Sequence, residues 1–437
     1  MLLPCRSRTS IYGNLKQKWP AFNHQCFNLR YKSTEARDQT KDFFIEYKVR
    51  SSLERLIYHY SNQPLSKFSM SGLYEQSKNL NEANILKVAR DTIESLLGYN
   101  ARRLRNFRDL PYLVMLNPSI SESYNMYLKS MSVLLKASLN PPRTLEENEA
   151  FANGVLTEFI EIHADALPTL SKGFEEVLHL MTTRQIKSFL DKHLIERISM
   201  RLIAHQHVQL TKSLMSNSYV AGGSYNGVIK RLDVRDVIRK NAELVNDLFL
   251  MKYDQTVSVK IDTNLHPGRF WTSREPPTLV PREHRDGPIY FPYIEYHLEY
   301  ILQELFKNSF RAHIENNVSE PVQITVSTSE NPSYMELRIR DKGKGIPPKT
   351  LQHMFDYSFT TYESNEGDSY KTLNVPPGLG GNTVAGMGYG LPLSKSYIEI
   401  FNDTVLPEKN TPEIKGSLSV QTYWGWGTDV YLKTVGQ

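Results

Sequence analysis

The stretch that decides the fold is Leu302–Asn317, with the sequence LQELFKNSFRAHIENN. With the residues just before it, this stretch carries apolar side chains three and four positions apart, which predicts a helix with one buried face. The apolar positions are Leu298, Ile301, Leu302, Leu305 and Phe306. Glu304, Asn308 and Arg311 follow the same helical spacing and therefore form a polar column of their own. A carboxylate, an amide and a guanidinium in one column predict that the helix forms one wall of a ligand pocket.

Two stretches further along the chain carry residues that suit a nucleotide. In DKGKGIP (Asp341–Pro347), which follows a predicted strand, Asp341 can accept a hydrogen bond from an exocyclic amine such as that of adenine. Gly343 and Gly345 allow the backbone to approach a ligand closely and to adopt positive φ. GWGTD (Gly425–Asp429) opens the last predicted strand.

A third stretch, GLGGNTVAGMGYGLPLSKSY at 378–397, is a glycine-rich loop that leads into a predicted helix. The free amides and the dipole at the start of such a helix suit phosphate. The loop is not a P-loop, because no Gly-Lys-Ser/Thr follows it. On the opening helix, Asn308 offers an amide oxygen to Mg²⁺, and Glu304 is a candidate general base one turn earlier. Each motif alone also fits a turn, a hinge or an ion pair, so the prediction depends on their conjunction and order.

The composition is that of a globular protein whose 437 residues suffice for two or three domains. Hydrophobic residues make up 40% of the chain, and no apolar run is long enough to predict a membrane span. The net charge of +5 is small and spread out, so it does not indicate binding of nucleic acid.

Residues 1–34 form a basic segment that contains no acidic residue. This composition predicts a mitochondrial transit peptide, with cleavage near Arg30–Ser33, and a disordered basic tail is the alternative. Both cysteines, Cys5 and Cys26, lie in this segment. Its removal would leave no thiol, which would exclude disulfides, cysteine nucleophiles and zinc–thiolate sites.

Helical patterns dominate residues 41–222, and Pro111 and Pro141–Pro142 fall between the helical segments. Four long helices with short connections predict an N-terminal four-helix bundle. Residues 228–437 interleave helices with strand patterns such as TVSVKI, PVQITVSTSE, MELRIRDKG, SLSVQTYW and TDVYLKTV. The predicted fold class is therefore α + α/β, with the bundle followed by an α/β sandwich.

The motifs, taken in order, resemble a known nucleotide-binding fold. The succession Glu-x-x-x-Asn, Asp-x-Gly-x-Gly, Gly-x-Gly-x-Gly and Gly-Thr-Asp resembles the Bergerat ATP-binding fold of histidine kinases, heat-shock chaperone ATPases, type II topoisomerases and mismatch-repair ATPases. Within that superfamily, ELFKNSFRA, GMGYGLPLSKSY and GTDVYLK are similar to the mitochondrial pyruvate dehydrogenase kinases and branched-chain ketoacid dehydrogenase kinases. LPTLSKGFEE and FLDKHLIERISMRLIAHQH are similar to bundle segments of the same family.

The resemblance implies roles for individual residues. Glu304 corresponds to the base that takes the proton from a substrate serine, Asn308 to the magnesium ligand, and Asp341 to the aspartate that reads adenine. The nucleotide-binding positions that it implies are Glu304, Lys307, Asn308, Arg311, Asp341, Gly343, Gly345, Thr360, Thr361, Gly386, Met387, Gly388, Tyr389, Gly390, Leu391 and Thr428. The lid of the ATP site is expected between Thr361 and Gly386.

The implied protein is a protein-serine kinase of the mitochondrial matrix that phosphorylates and inactivates the pyruvate dehydrogenase complex, on the α subunit of its decarboxylase. ATP and Mg²⁺ are the implied cofactors, with K⁺ as a further candidate. The bundle is expected to dock on the lipoyl domain of the acetyltransferase core, and a homodimer is expected. Because the chain ends at Gln437, soon after the last predicted strand, the tail that crosses between subunits in many family members is expected to be short or absent.

Three alternatives remain open at this point. Pyruvate dehydrogenase kinases commonly carry histidine four residues before the catalytic glutamate, whereas this chain has Tyr300 there and His297 seven before, so a branched-chain ketoacid dehydrogenase kinase is the runner-up. A non-catalytic ATP-gated adaptor of the same fold is the second alternative. A histidine kinase with His193 as phosphoacceptor is the third, but the proline expected after such a histidine is missing, and His193 is interpreted as a surface residue.

Overall fold

The computed structural model describes residues 36–65, 69–163, 166–216, 219–263, 287–330, 333–357, 388–402 and 415–436. The helices up to residue 215 are α1 Ala36–Asn62, α2 Met70–Lys78, α3 Glu82–Arg108, α4 Tyr112–Met115, α5 Pro118–Leu139, α6 Leu145–Ala150, α7 Thr157–Ile162, α8 Ala166–Glu176 and α9 Thr183–Met215. A π-helical turn at Phe151–Leu156 joins α6 to α7.

The long helices begin where short polar side chains can cap their free amides. The Asn81 side chain accepts a hydrogen bond from an amide in the first turn of α3, and Asn117 does the same for α5, which has Pro118 in its first turn. Thr182 and Gln185 form a reciprocal capping box at the start of α9. The prolines predicted to separate helices do so, since Pro111 precedes α4 and Pro141–Pro142 lie between α5 and α6.

Helix α3 lies at the centre of the bundle, with α1, α5 and α9 packed against it. The interpretation of His193 as a surface residue is wrong, because its side chain is fully buried. Its Nε2 lies 3.2 Å from the Tyr127 hydroxyl, and its ring stacks on Phe189 with 5.8 Å between centroids. His193 belongs to the apolar stripe of α9, one turn from Leu190, so the helical period explains its burial.

The second half of the chain contains β1 Ile229–Asp233, α10 Val234–Tyr253, β2 Val259–Thr263, β3 Tyr290–Ile294, α11 Glu295–Glu315, β4 Val322–Glu330, β5 Ser333–Asp341, α12 Pro348–His353, α13 Gly390–Glu399, β6 Ser417–Tyr423 and β7 Gly427–Val435. A five-stranded sheet has the order β2-β4-β5-β7-β6, in which only β2 and β4 pair in parallel. Helices α11 and α13 pack against this sheet and against each other, and α10 packs against α11. The predicted fold class, a helical bundle followed by an α/β sandwich, is confirmed.

The five strand patterns of the sequence correspond to β2, β4, β5, β6 and β7, but a second sheet was not predicted. Strands β1 and β3 form an antiparallel two-stranded ribbon. β1 leads directly into α10 and β3 directly into α11, so the ribbon fixes where these two helices begin. Among the described residues, no helix is long and apolar enough to cross a membrane.

Candidate active site

Helix α11 forms the wall on which the site is built. Its predicted apolar stripe is buried, with at most 1% of each side chain exposed, at Leu298, Ile301, Leu302, Leu305 and Phe306. Burying five large side chains fixes the rotation of the helix about its axis. The polar column is thereby turned toward the loops that carry the glycines.

Glu304 lies at the centre of the site, with only 8% of the residue exposed. Its Oε1 forms an ion pair with Lys307 Nζ, one turn further along α11. On its other side the carboxylate meets Gly390, the first residue of α13. A Cβ atom at position 390 would overlap Glu304 Oε2, so this approach requires glycine. The carboxylate therefore lies between an ammonium group and the N-terminal end of a helix.

Asn308 and Arg311 complete the column but differ in their surroundings. Asn308 is exposed, one turn after Glu304, so its amide oxygen is open to a ligand. Arg311 is half-buried, and its Nε donates to Glu315 Oε1 at 2.5 Å. The guanidinium is thus directed along the helix toward its C-terminal end.

Asp341 lies at the end of β5, where the ladder pairs it with Thr428 on β7. Its Oδ1 accepts hydrogen bonds from the amides of Gly343, at 3.0 Å, and Thr428, at 3.2 Å. Oδ2 has no hydrogen-bond partner within the part of the chain that the structure describes. Burial raises the pKa of Asp341 to about 6, although both amide hydrogen bonds favour the charged form. One carboxylate oxygen is therefore held in place and the other can accept from a ligand.

Two of the predicted glycines are required by close packing around Asp341. Gly345 has φ +79°, and a Cβ on Gly343 would lie 2.7 Å from the Cβ of Ala312 on α11. The loop after β5 therefore lies directly on the second half of α11. This contact connects the aspartate to the helix that carries Glu304.

His313 is a site-supporting residue that the sequence analysis missed. It is fully buried on α11, and its Nε2 accepts a hydrogen bond from the amide of Lys342 at 2.9 Å, which fixes the start of the loop after Asp341. Burial is the main reason why the pKa of His313 is lowered, which favours the neutral ring that this hydrogen bond requires. The available signal was its spacing, since it follows Phe306 and Phe310 on the apolar face of α11.

The end of the glycine-rich loop is described from Gly388 onward. Gly388 has φ +72°, and Tyr389, which precedes the first turn of α13, is fully buried. Leu391 is partly buried and packs against the core. The remaining predicted positions, Thr360, Thr361, Gly386 and Met387, lie outside the described residues.

Tyr300 lies one turn before Glu304 on α11. Its hydroxyl is buried, with no hydrogen-bond partner among the described residues, and its ring lies 5.2 Å from that of Tyr397 on α13. Burial, together with the charge of Glu304, raises the pKa of Tyr300 well above its usual value. The ring of His297 also contacts Tyr397, at 4.5 Å between centroids, and lies 4.6 Å from the ring of Tyr296.

The arrangement can hold an elongated anion with a heterocycle at one end. At one end, the polar side of α11 offers the Glu304 carboxylate, paired with Lys307, and the exposed Asn308 amide. The N-terminal end of α13 lies against Glu304. The other end offers Asp341 with one available oxygen beside Thr428. A carboxylate beside groups that bind phosphate is suited to removing the proton of an attacking hydroxyl.

Comparisons with known proteins agree with this chemistry. Residues 67–230 match a family model described as mitochondrial branched-chain alpha-ketoacid dehydrogenase kinase, and residues 294–434 match the histidine kinase-, DNA gyrase B- and HSP90-like ATPase model. The chain is 31% identical over 397 residues to pyruvate dehydrogenase (acetyl-transferring) kinase 1, mitochondrial, of Saccharomyces cerevisiae, covering 89% of each chain. It is 26% identical over 394 residues to isozyme 4 of the human kinase of the same name, covering 87% of this chain and 84% of the relative.

Proposed function

Because the chain belongs to the family of mitochondrial pyruvate dehydrogenase kinases, we propose that it phosphorylates and inactivates the pyruvate dehydrogenase complex with ATP as phosphoryl donor. The enzyme is a mitochondrial protein kinase, and the acceptor is a serine on the α subunit of the decarboxylase. The observation that carries the proposal is the contact between Glu304 and Gly390, which brings a carboxylate to the start of a helix that suits phosphate.

The geometry of the described residues supports the proposed ATP-binding roles. Asp341 accepts from the exocyclic amine of adenine through Oδ2, and the amides at the start of α13 together with Lys307 bind the phosphates. Gly343 and Gly345 let the loop after β5 lie close to the base. Thr360, Thr361, Gly386 and Met387 remain sequence-based predictions for the same site.

The residues also fit a magnesium ion. Asn308 presents an exposed amide oxygen beside the expected phosphates, and Mg²⁺ commonly takes one or two protein ligands and fills its other positions with phosphate oxygens and waters. The ion would neutralise charge on the phosphates during transfer. K⁺ is assigned to none of the described residues.

Glu304 performs the chemical step that this chain contributes. Its carboxylate takes the proton from the serine hydroxyl, so that the serine oxygen can form its bond to the γ-phosphorus while the bond to the β–γ bridging oxygen breaks and ADP leaves. Lys307 must release Glu304 Oε1 for this, and its ammonium can then pair with phosphate instead. Transfer otherwise depends on positioning, because phosphoryl transfer needs little covalent help from the protein.

The Glu304→Gln variant tests the function directly. With labelled ATP and purified pyruvate dehydrogenase complex, we expect transfer to fall by roughly 10²- to 10⁴-fold, as for loss of a general base, while ADP still binds. Glu295→Gln is the control, because Glu295 is an exposed carboxylate at the start of the same helix. Unchanged regulation of the complex by the Glu304→Gln protein would instead favour an ATP-gated adaptor.

The branched-chain dehydrogenase complex is the second candidate substrate, because the family model over residues 67–230 carries that name. Offering both purified complexes to the enzyme with ATP distinguishes them. Pyruvate dehydrogenase is favoured, since the relatives that cover most of this chain carry its name.

The remaining assignments concern domains and partners. Residues 1–34 are proposed as a transit peptide to the matrix, 41–222 as the bundle that docks on the lipoyl domain, and 228–437 as the kinase domain. A homodimer is proposed as the assembly. Pull-down of the full chain by isolated lipoyl domain, and its mass in solution, test the last two assignments.

A further inference from the structure

Bundle helix α9 contacts the segment that follows α12. The Tyr357 hydroxyl donates a hydrogen bond to Asp191 Oδ1 at 2.5 Å. Lys187 Nζ lies 3.8 Å from Asp356 Oδ1 and 5.2 Å from the centre of the Tyr357 ring. Lys187 and Asp191 are four residues apart, so they lie on one face of α9. Asp356 and Tyr357 of the ATP-binding half thus contact Lys187 and Asp191, which are neighbours on the surface of α9.

The hydrogen bond between Tyr357 and Asp191 has the features of a strong one. A neutral hydroxyl that donates to a carboxylate forms a charge-assisted hydrogen bond, which is stronger than one between two neutral groups. Burial, and then the neighbouring Asp191 carboxylate, raise the pKa of Tyr357, so the phenol keeps its proton. The position of the Tyr357 ring is therefore set by α9 as well as by its own domain.

The same ring contacts the nucleotide site. The rings of Tyr357 and Tyr389 lie 5.5 Å apart with an interplanar angle of 44°. Tyr389 is fully buried and directly precedes Gly390, whose backbone is packed against the carboxylate of Glu304. A continuous series of contacts therefore leads from Asp191 through Tyr357 and Tyr389 to the start of α13.

We propose that Asp191 and Tyr357 are positioning residues for nucleotide binding, so that bundle helix α9 forms part of the support of the ATP site. Fixing the Tyr357 ring fixes Tyr389, and thereby the first turn of α13 against Glu304. This inference rests on the proposed function, because it assumes that the start of α13 binds phosphate. A simple tether between the two halves would instead contribute to stability alone.

Two single variants and a rescue variant test the inference. Tyr357→Phe removes only the hydroxyl, Asp191→Ala removes the acceptor, and Asp191→Asn keeps an oxygen that can accept the hydrogen bond. We expect the first two to raise the Kd for ADP and the KM for ATP by roughly 3- to 10-fold, the range for changes along a packed coupling path, with a smaller effect on kcat. Asp191→Asn should recover most of the affinity for ADP. The double variant Asp191→Ala/Tyr357→Phe should bind ADP about as weakly as the single variants, because both changes remove the same hydrogen bond.

Tyr219→Phe is the matched control. The Tyr219 hydroxyl also donates a 2.5 Å hydrogen bond, to the carbonyl of Leu80, but this pair lies within the helical part of the chain. Its loss should leave the Kd for ADP unchanged. The inference is overturned if Tyr357→Phe lowers the thermal midpoint without changing the Kd or the KM. If the wild-type protein binds no ADP, the proposed function is wrong. If the wild type binds ADP and Tyr357→Phe binds it with the same Kd, only this inference is wrong.

Discussion

Helices α9 and α11 both carry charged and polar side chains on a long helix, yet they place them in different environments. On α9, the buried Arg197 donates to the carbonyl of His163 at 3.1 Å, and Glu196 pairs with Arg103, whose side chain is completely buried. On α11, the corresponding face is partly open, and Asn308 is exposed. The presence of charged residues on a helix therefore does not by itself distinguish an ion pair that supports a core from a candidate catalytic column.

The difference comes from what faces each helix. Glu196 and Arg197 of α9 find their partners, Arg103 and the carbonyl of His163, within the bundle. The polar face of α11 meets the start of α13 at Gly390 and the loop at Gly343, where the absence of side chains lets backbone approach Glu304 and Ala312. Glycine at these two positions thus lets two loops of the backbone lie close to the polar face of α11.

The largest effect should come from breaking the buried pair of the bundle. Glu196→Gln leaves the Arg103 guanidinium buried without a counter-charge, which should lower the free energy of unfolding by about 3–5 kcal/mol. Urea titration measures the loss. Replacing both Arg103 and Glu196 with methionine should recover most of it, and a loss below about 1 kcal/mol in Glu196→Gln would mean that the buried guanidinium does not depend on this carboxylate.

A steric change at the candidate catalytic column should abolish most of the activity while leaving the fold intact. Gly390→Ala places a methyl group against Glu304 Oε2, and displacing a catalytic group by about 1 Å costs roughly 100-fold in rate. Steady-state phosphorylation of the pyruvate dehydrogenase complex measures the loss.

Gly98→Ala in α3 is the matched control for that change, since its added Cβ would lie 2.6 Å from the Leu65 side chain in the bundle. The activity per folded molecule should not change in this control. If Gly390→Ala kept full activity, the contact between α13 and Glu304 would have no part in catalysis.

Much of this comparison could be predicted from the sequence, because local periodicity determined the helices and the five strand patterns. β1 and β3 were missed because three of the five residues of β1 are charged, Pro292 interrupts β3, and the paired residues lie about 60 positions apart in the chain. The order of the motifs indicated that Glu304, Asp341 and the glycine-rich loop belong together. No local pattern could pair Tyr357 with Asp191, which are 166 positions apart.

The misplacement of His193 has a related cause. His193 was expected to be exposed because histidine is polar, although its position on the apolar stripe of α9 indicates burial. A neutral imidazole can be buried when it has a hydrogen-bond partner, here the Tyr127 hydroxyl. The same judgement concealed His313 on α11. In both helices the period identified buried positions correctly, and residue type misled for two histidines that bond a partner through Nε2.

The pH dependence of nucleotide binding should report on Asp341. Its pKa is raised to about 6, so the ionised form is lost as the pH falls through that value. Lowering the pH from 7.5 to 5.5 leaves about a quarter of the carboxylate ionised, and we expect the Kd for ADP to rise about 4-fold. Calorimetry on the wild type and on Asp341→Asn measures the Kd for ADP at each pH. The variant should bind ADP more weakly, and its Kd should change with pH only through the ionisation of ADP itself. A wild-type profile parallel to that of the variant would remove Asp341 from the adenine site.

The same carboxyl also affects folding, in the opposite direction. Its folded-state pKa lies above the ordinary value of 3.8, so the folded protein holds this proton more tightly than the unfolded chain does. Its contribution to stability is therefore largest below pH 4 and declines as the pH rises through about 6. Urea titrations of wild type and Asp341→Asn over this range should show the difference.

The smallest effect is expected at the exposed ion pair of α11, and it tests the comparison most finely. Glu315→Gln removes the partner of Arg311, but half of the Glu315 side chain is exposed. Because water screens such a pair, the free energy of unfolding should change by less than about 0.5 kcal/mol, against the several kcal/mol expected at Glu196. Urea titration of the two variants side by side measures the contrast. If Glu315→Gln lowers the free energy of unfolding by more than about 1 kcal/mol, the end of α11 depends on this ion pair as the bundle core depends on Glu196. Arg311 would then stabilise the fold and would not be available to bind a phosphate.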